Sequence, residues 1–365
     1  MPTNKPKIAL VHDWLTVPGG SERVLEVLHN MYPEAPIYTT IYNPGKFPQF
    51  KNADIHTSYL NNFPLAHKKH QILIPLMPKA IESFDLSQYD LVISDSHACA
   101  KGAIKAKNAY HICYCHTPLR YVWLTNIDNR ANSSLLRRAA ANYLKKWDLR
   151  TIDRVDKYFS NSNYISDRIK TIYHRDAETI YPPIDTKKWH ISDNTDDYFL
   201  FVSRLVSHKK PEIVVEAFNQ LGLPIKIVGN GPELVNLKKI AKSNIIFTGR
   251  VSDEELQALY SQCQALIFPS IDDFGMVPIE VMASGRPVIA ISQGGAAETV
   301  IEGLTGLHFN EQTSKSIIEA VKKFNPTNYD PIKIRQFAEK FDTEVFISKI
   351  EKAVNEVKIS NGYNS

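Results

Sequence analysis

Short runs rich in Val, Ile, Tyr and Phe alternate with segments of helical period along most of the chain, and the alternation restarts once. KIALVHD, PIYTTIY, DLVISDS, YHICYCHT and KYFSNS in the first half have the length and composition of strands. Between them lie segments such as SERVLEVLHNMY, in which Val24, Leu25, Val27 and Leu28 form one apolar stripe. Strands alternating with helices predict a parallel sheet covered by helices. After YPPIDTKKW and the polar run ISDNTDD the pattern begins again with YFLFVSRL, PEIVVEAFNQL, IKIVGNG, ELVNLKKIA and NIIFTGRV. SDEELQALYSQC follows, with Ser252 and Glu255 spaced as a capping box, and then ALIFPS, PVIAIS and GLHFN. The expected class is α/β, with two doubly wound domains over residues 1–190 and 191–340. Residues 341–365, an amphipathic helix in FDTEVFISKIEKAVNEV, are expected to pack back on the first domain.

Composition narrows the function classes. A chain of 365 residues is too long for one ordinary core, and 43% hydrophobic with 22% charged residues fits two folded domains. The N-terminal run IALV is followed at once by His12 and Asp13, so neither a signal peptide nor a spanning helix is expected there, and the protein is read as cytoplasmic. Four cysteines without a C-x-x-C pair make neither a disulfide framework nor a zinc site, and Cys113 and Cys115 read as core. A net charge of +4 is too mild for a nucleic-acid partner. No His or carboxylate group has metal-ligand spacing, so no metal or other cofactor is expected. Neither a P-loop nor a G-x-S-x-G elbow is present.

In a parallel sheet ligands bind at the carboxyl ends of strands, so the strand-to-helix turns carry the candidates. In VHDWLTVPGGSERVLEV, Gly19 and Gly20 let the backbone come close to an anion at a helix start, although two glycines serve a plain tight turn equally well. FVSRLVSHKKPE sets Arg204 at a strand end and Lys209 and Lys210 just before a helix, a grouping that suits a diphosphate; surface lysines are the bland alternative. IVGNGPE keeps only two glycines of a dinucleotide fingerprint, so hydride transfer is poorly supported and Gly229 reads as lying beside a base or ribose. In FPSIDDFGMVPIEVMASGRP, the amides around Phe274 and Gly275 open a helix that carries Glu280, a carboxylate of the kind that accepts from vicinal hydroxyls. Asp272 and Asp273 could simply cap that helix. His12, His97 and His116 all fall at or near strand ends of the first domain.

The segment SSLLRRAAANYLKKWDLRTIDR interleaves Arg137, Arg138, Lys145 and Lys146 with Leu135, Leu136, Tyr143, Leu144 and Trp147, which suits an anionic membrane surface as well as a solvated basic face. QILIPLMPKAI, residues 71–81, reads either as further lipid contact or as core.

Taken in order, these motifs resemble a known family. SRLVSHKKPEIVVEAF, IVGNGPE, FTGRVSDEELQALY, FPSIDDFGMVPIEVMASGRPVIA and GGAAETV resemble the retaining GT-B glycosyltransferases of family 4 in order and spacing. VHDWLTVPGGSERVLEVL, LIPLMPKAIESFDLSQYDLVISDSHACAKG, CYCHTPLRYVW and YPPID look like its mannosyltransferase branch that builds O-antigen and other surface polysaccharides. The resemblance implies two Rossmann-like domains facing a central cleft and transfer of a hexose, mannose from GDP-mannose, to a lipid-linked saccharide. It implies that Arg204 and Lys209 hold the donor diphosphate, that Glu280 binds the ribose, and that Asp272 with the amides of Phe274 and Gly275 contacts the transferred sugar. His116 then lies beside that sugar, and Gly19 and Gly20 approach donor phosphate and acceptor; Gly229, Met276 and Val277 complete the donor-binding set. One departure is plain: the family's usual pair is Glu, seven residues, Glu, and here the first acid is Asp272. A UDP-sugar donor, a GT-B epimerase, a non-catalytic nucleotide-sugar-binding subunit and a pyridoxal-phosphate phosphorylase of similar fold are the rival readings.

Overall fold

The structure, a computed structural model, describes residues 6–123 and 135–360; of the basic segment that begins at Ser133, Ser133, Ser134 and the side chain of Leu136 lie outside the described residues. Two compact units form, one reaching to Pro183 and taken up again at Glu344, the other Ile184–Thr343. Each is built on one parallel sheet.

The first unit contains β1 (Ile8–His12), β2 (Ile37–Thr39), β3 (Ile55–Thr57), β4 (Leu91–Ser96), β5 (Tyr110–Cys115), β6 (Lys157–Ser160) and β7 (Ala177–Thr179). They lie in the order β3-β2-β1-β4-β5-β6-β7, every pair parallel. β3 and β7 are absent from the sequence reading, and their composition explains it: each is three residues long with no buried position, as edge strands often are. The order reverses between β1 and β4, which makes their carboxyl ends the switch point of this sheet. Register sets His12 opposite Asp95 there, and Asp95 opposite Tyr114.

One face of the sheet is covered by the helix Gly20–Met31, whose Val24, Leu25 and Leu28 are buried against Leu10, Ile37 and Ile93, while Val27 is only half-buried. The helix Thr343–Ser360 adds Phe346, Ile350, Ala353, Val354 and Val357 to the same core. On the other face Trp14, Met77, Ile81, Val92, Leu144 and Trp147 pack together. Residues 71–81, left open between core and surface, divide: Ile74, Met77, Ala80 and Ile81 are core, while Ile72 is 69% and Leu76 40% exposed. All four cysteines are free and buried, Cys113 and Cys115 among Val155, Tyr158 and Ile165.

The second unit contains β8 (Phe199–Val202), β9 (Ile225–Val228), β10 (Ile245–Gly249), β11 (Leu266–Phe268), β12 (Val288–Ile291) and β13 (Gly306–Phe309), ordered β10-β9-β8-β11-β12-β13 and again all parallel. Its switch point lies between β8 and β11. The helix Asp253–Gln262 opens with the capping box of Ser252 and Glu255. Residues 184–190, assigned above to the first domain, pack here instead: Ile184 pairs with Asp342 and the Trp189 carbonyl accepts from Arg335.

The helix Leu135–Arg150 is anchored by a buried ion pair. The Lys101 ammonium lies 3.1 Å from an Asp148 carboxylate oxygen and also donates to the Asp148 carbonyl and the Thr151 hydroxyl. Trp123 and Tyr173 donate to the same carboxylate. Removing one member of such a pair leaves an uncompensated charge out of water. Asp148→Ala should therefore lower unfolding free energy by about 3–5 kcal/mol in a denaturant titration.

Candidate functional site

In the second unit the chain leaves β8 with Arg204 exposed. Its loop rests on the loop after β9, where Ser203 donates to Val228 and Leu205 donates to Asn230, both backbone to backbone. A Cβ at Gly229, whose φ is +126°, would fall on the Ser203 carbonyl, and one at Gly231 on the Leu205 carbonyl. Two glycines are thus required by backbone packing, and their effect is to hold Arg204 at the switch point.

Lys209 ends a short 3-10 turn, Ser207–Lys209, ahead of the helix Pro211–Leu221. Its ammonium donates to both carboxylate oxygens of Asp272, at 2.7 and 2.5 Å. Lys209 thus engages Asp272, and the N-cap of Met276–Ala283 is Gly275, at φ +90°, which has no side chain to cap with. Met276 and Val277 open the helix, in the first turn where backbone amides lack intrahelical acceptors. Phe274 is buried, and its ring packs 5.9 Å from that of Phe341. Behind this turn lies a glycine pair from GGAAETV to which the sequence reading assigned no structural role. Side chains at Gly294 or Gly295 would strike the Asp272 or Phe274 backbone, and the Gly295 amide donates to the Asp272 carbonyl at 2.9 Å.

Glu280, one turn into the helix, is 5% exposed. One of its carboxylate oxygens accepts from the Tyr260 hydroxyl at 3.0 Å, and the Tyr260 ring lies 4.9 Å from that of Trp189. Neither partner was identified from sequence.

In the first unit the helix Gly20–Met31 starts without a side-chain cap, and a Cβ at Gly19 would come 3.0 Å from a Glu22 carboxylate oxygen. His12, at the end of β1, donates through Nδ1 to Asp95 at 2.9 Å, and Nε2 of His116, just past β5, meets the other oxygen of Asp95 at 2.5 Å. Glu22 lies 3.8 Å from His12 Nε2, an ion pair and not a hydrogen bond. The His97 ring is 5.6 Å from that of His12 and 6.5 Å from that of His116. Asp13 accepts from the amides of His97, Ala98, Cys99 and Ala100 and so pins the loop after β4. The strand-end positions of the three histidines were legible; the carboxylates that join them, Asp95 and Glu22, were not singled out.

Comparison with known proteins identifies the family. Residues 18–188 match the family model described as Glycosyltransferase Family 4, and residues 184–340 match Glycosyl transferases group 1. The chain belongs to the family 4 glycosyltransferases. It is 24% identical over 393 residues to an alpha-1,3/1,6-mannosyltransferase of Dictyostelium discoideum, covering 89% of this chain and 90% of that one. It is 23% identical over 365 residues to the O-antigen chain mannosyltransferase C of Escherichia coli, covering 89% and 96%. A crystal structure of an Anabaena protein in complex with UDP and glucose matches the GT-B fold with a TM-score of 0.70 at 18% identity, over 96% of this chain and all of that one.

In the first unit of this glycosyltransferase, burial and charge pull against each other. Burial disfavours charge on His12, but its hydrogen bond to Asp95, with Asp95 and Glu22 both negative, outweighs that and pushes its pKa up to about 10. Burial likewise raises Asp95, yet the charges and hydrogen bonds of His116 and His12 bring it down to about 2. His97 is held down to about 4, chiefly by burial against the pull of Asp13. His111, satisfied by the Arg154 carbonyl and the Ser94 hydroxyl, is also held near 4 by burial. The signs are opposite. The raised His12 contributes stability that is full below about pH 6.5 and lost as pH climbs through 10, whereas His97 and His111 take up protons on unfolding and cost stability as pH falls from about 6.5 towards 4. Unfolding free energy measured against pH should peak near 6.5, and His12→Gln, which can still donate to Asp95, should flatten the alkaline limb only.

Proposed function

We propose that the enzyme transfers mannose from GDP-mannose to a lipid-linked saccharide of surface-polysaccharide synthesis, with retention at the anomeric carbon. The observation that carries this is the set of groups at the second unit's switch point: Arg204 and Lys209 on the connection leaving β8, with Asp272 and Glu280 on the connection and helix after β11. The relatives in Dictyostelium and Escherichia coli are both named as mannosyltransferases, which favours mannose as the sugar.

In this reading the donor diphosphate draws Lys209 away from Asp272 and takes a second contact from Arg204. The bond from the sugar C1 to the diphosphate oxygen breaks as negative charge builds on that oxygen, and cations already in position stabilise it without reorganising. An acceptor hydroxyl oxygen bonds to C1 on the same face, and its proton passes to the leaving phosphate oxygen. Asp272, released from Lys209, turns to the sugar hydroxyls together with the amides of Phe274 and Gly275, while Met276 and Val277 continue that amide row. Glu280, oriented by Tyr260, accepts from the ribose, and His116, Gly19 and Gly20 serve the sugar and the acceptor side. Gly229 shapes the donor site by letting two loops touch. Arg204, Lys209 and the amides carry the charge, so the proposal routes no step through a metal or other cofactor.

Thermal stabilisation by a panel of GDP-, UDP- and ADP-sugars tests the donor. GDP-mannose at roughly a hundred times its dissociation constant should add about 2.7 kcal/mol. Stabilisation by a UDP-sugar alone would move the donor assignment to uridine. Glu280→Ala should weaken GDP-mannose binding by roughly tenfold or more in calorimetry while the ligand-free protein still unfolds cooperatively.

Membrane contact is part of the same proposal, since a lipid-linked acceptor lies at the membrane surface, here its cytoplasmic face. Among the described residues no helix is long and apolar enough to cross a membrane. The helix Leu135–Arg150 carries exposed Arg137, Arg138, Lys145 and Lys146 beside exposed Leu135, Tyr143 and Leu149, and it packs against the turn His70–Leu76 that exposes Ile72 and Leu76. Lys68 and Lys69 extend the basic rim. Such a surface suits anionic headgroups, each cation contributing about 1 kcal/mol. Arg138→Gln with Lys146→Gln should cut binding to phosphatidylglycerol-containing vesicles roughly thirtyfold in a flotation assay and leave donor binding unchanged.

A further inference from the structure

The two histidines on Asp95 take one carboxylate oxygen each, and this decides how the His116 ring is held. Asp95 is fully buried at the end of β4, between β1 and β5, so strand pairing alone brings His12, Asp95 and His116 side by side. His12 is fully buried too, and its Nε2 has no hydrogen-bond partner while facing Glu22 at 3.8 Å. His116 behaves differently. Its Nε2 is committed to Asp95 at 2.5 Å, and its side chain retains some exposure, 11%. Nδ1 has no hydrogen-bond partner among the described residues, and it is not among the buried atoms left without one.

We infer that Asp95 and His12 are positioning residues for His116: Asp95 fixes the proton on Nε2, His12 fixes Asp95, and Nδ1 is left as the atom that meets the donor sugar. A carboxylate can serve only as acceptor when ionised, so a neutral His116 beside it must carry its proton on Nε2. Nδ1 is then a lone-pair acceptor for a sugar hydroxyl. His12 supplies the second donor and the compensating positive charge that allow Asp95 to remain ionised while buried; Glu22 holds His12 from its other side, and the helix that carries Glu22 begins at Gly20. Three residues, from two strand ends and one helix, therefore act on a single ring. The charged and titratable groups facing the pair are Glu22, His97, Asp13 and Tyr114, and of these only Glu22 lies within ion-pair distance of His12.

This inference rests on the reading that His116 lies beside the donor sugar, so its test needs a readout that does not. Long-range proton–nitrogen correlation on the nitrogen-15-labelled full chain, with His116→Gln and His12→Gln used to assign the two rings, reports which ring nitrogen holds the proton. The parent should show neutral His116 protonated on Nε2. In Asp95→Asn the amide offers one acceptor where two donors converge, and the His116 preference for Nε2 should fall roughly tenfold, the step from a charge-assisted to a neutral partner. His12→Gln, which keeps a donor on Asp95 but removes the compensating charge, should weaken the His116 preference for Nε2 by less than Asp95→Asn does, and it guards against a folding failure in the first variant. Release of GDP from GDP-mannose without acceptor should drop roughly a hundredfold in Asp95→Asn, with the dissociation constant for GDP-mannose within about twofold of the parent. A parent ring protonated on Nδ1, or an Asp95→Asn ring with its preference unchanged, overturns the inference. So does an Asp95→Asn protein that loses donor binding and turnover together, which marks a structural role. A parent with the expected tautomer that does not act on GDP-mannose overturns the donor assignment instead.

Discussion

Parallel strand pairing with one reversal of order is the constraint on which the rest of this glycosyltransferase depends. In each sheet the first strand laid down, β1 or β8, ends beside a strand that arrives much later in the chain. The carboxyl ends of these neighbours open a crevice that no crossover helix can fill. Asp95 and His12 stand there in the first sheet; Arg204 and the turn holding Asp272 stand there in the second. Arg204, Lys209, Asp272 and Glu280, the groups proposed to handle the donor, lie on a connection leaving one of these strand ends or on the helix that follows, and His116 lies just past the neighbouring strand β5.

Three charged groups in the molecule are held in compensated form. Asp95 is out of water between two histidines, Lys101 and Asp148 meet with the carboxylate also taking Trp123 and Tyr173, and Lys209 is matched by Asp272. The first two are buried and the third is only partly so, with about a quarter of each side chain exposed. That difference sorts them by role. A pair sealed from solvent is costly to open and fixes geometry, whereas a pair with access to water can exchange a partner at modest cost, as the proposed function requires of Lys209.

The glycines show where local sequence is a sufficient guide and where it is not. A glycine-bearing turn after a strand could be read as a ligand approach from IVGNGPE alone. The structure shows a different cause at Gly229 and Gly231, two loops packed backbone on backbone, and the same cause at Gly294 and Gly295. Sequence marks that something must come close; it does not say whether that is a ligand or the rest of the protein. The short edge strands β3 and β7 escaped notice for a related reason, because nothing buries them and so no apolar pattern announces them.

Periodicity in the chain was enough to establish the alternating strands and helices, the restart near Tyr198, the capping box at Ser252 and the position of each candidate residue relative to a strand end. These are properties of neighbours along the chain, and propensity, capping and apolar spacing act over that range. Which carboxylate serves which cation was decided only in three dimensions. His12 meets Asp95 across 83 residues, Lys209 meets Asp272 across 63, and Tyr260 orients Glu280 across 20. Parallel crossovers bring such distant residues together, and the cost of desolvating a charge then selects, among all the acids and bases in the sequence, the few that end up paired.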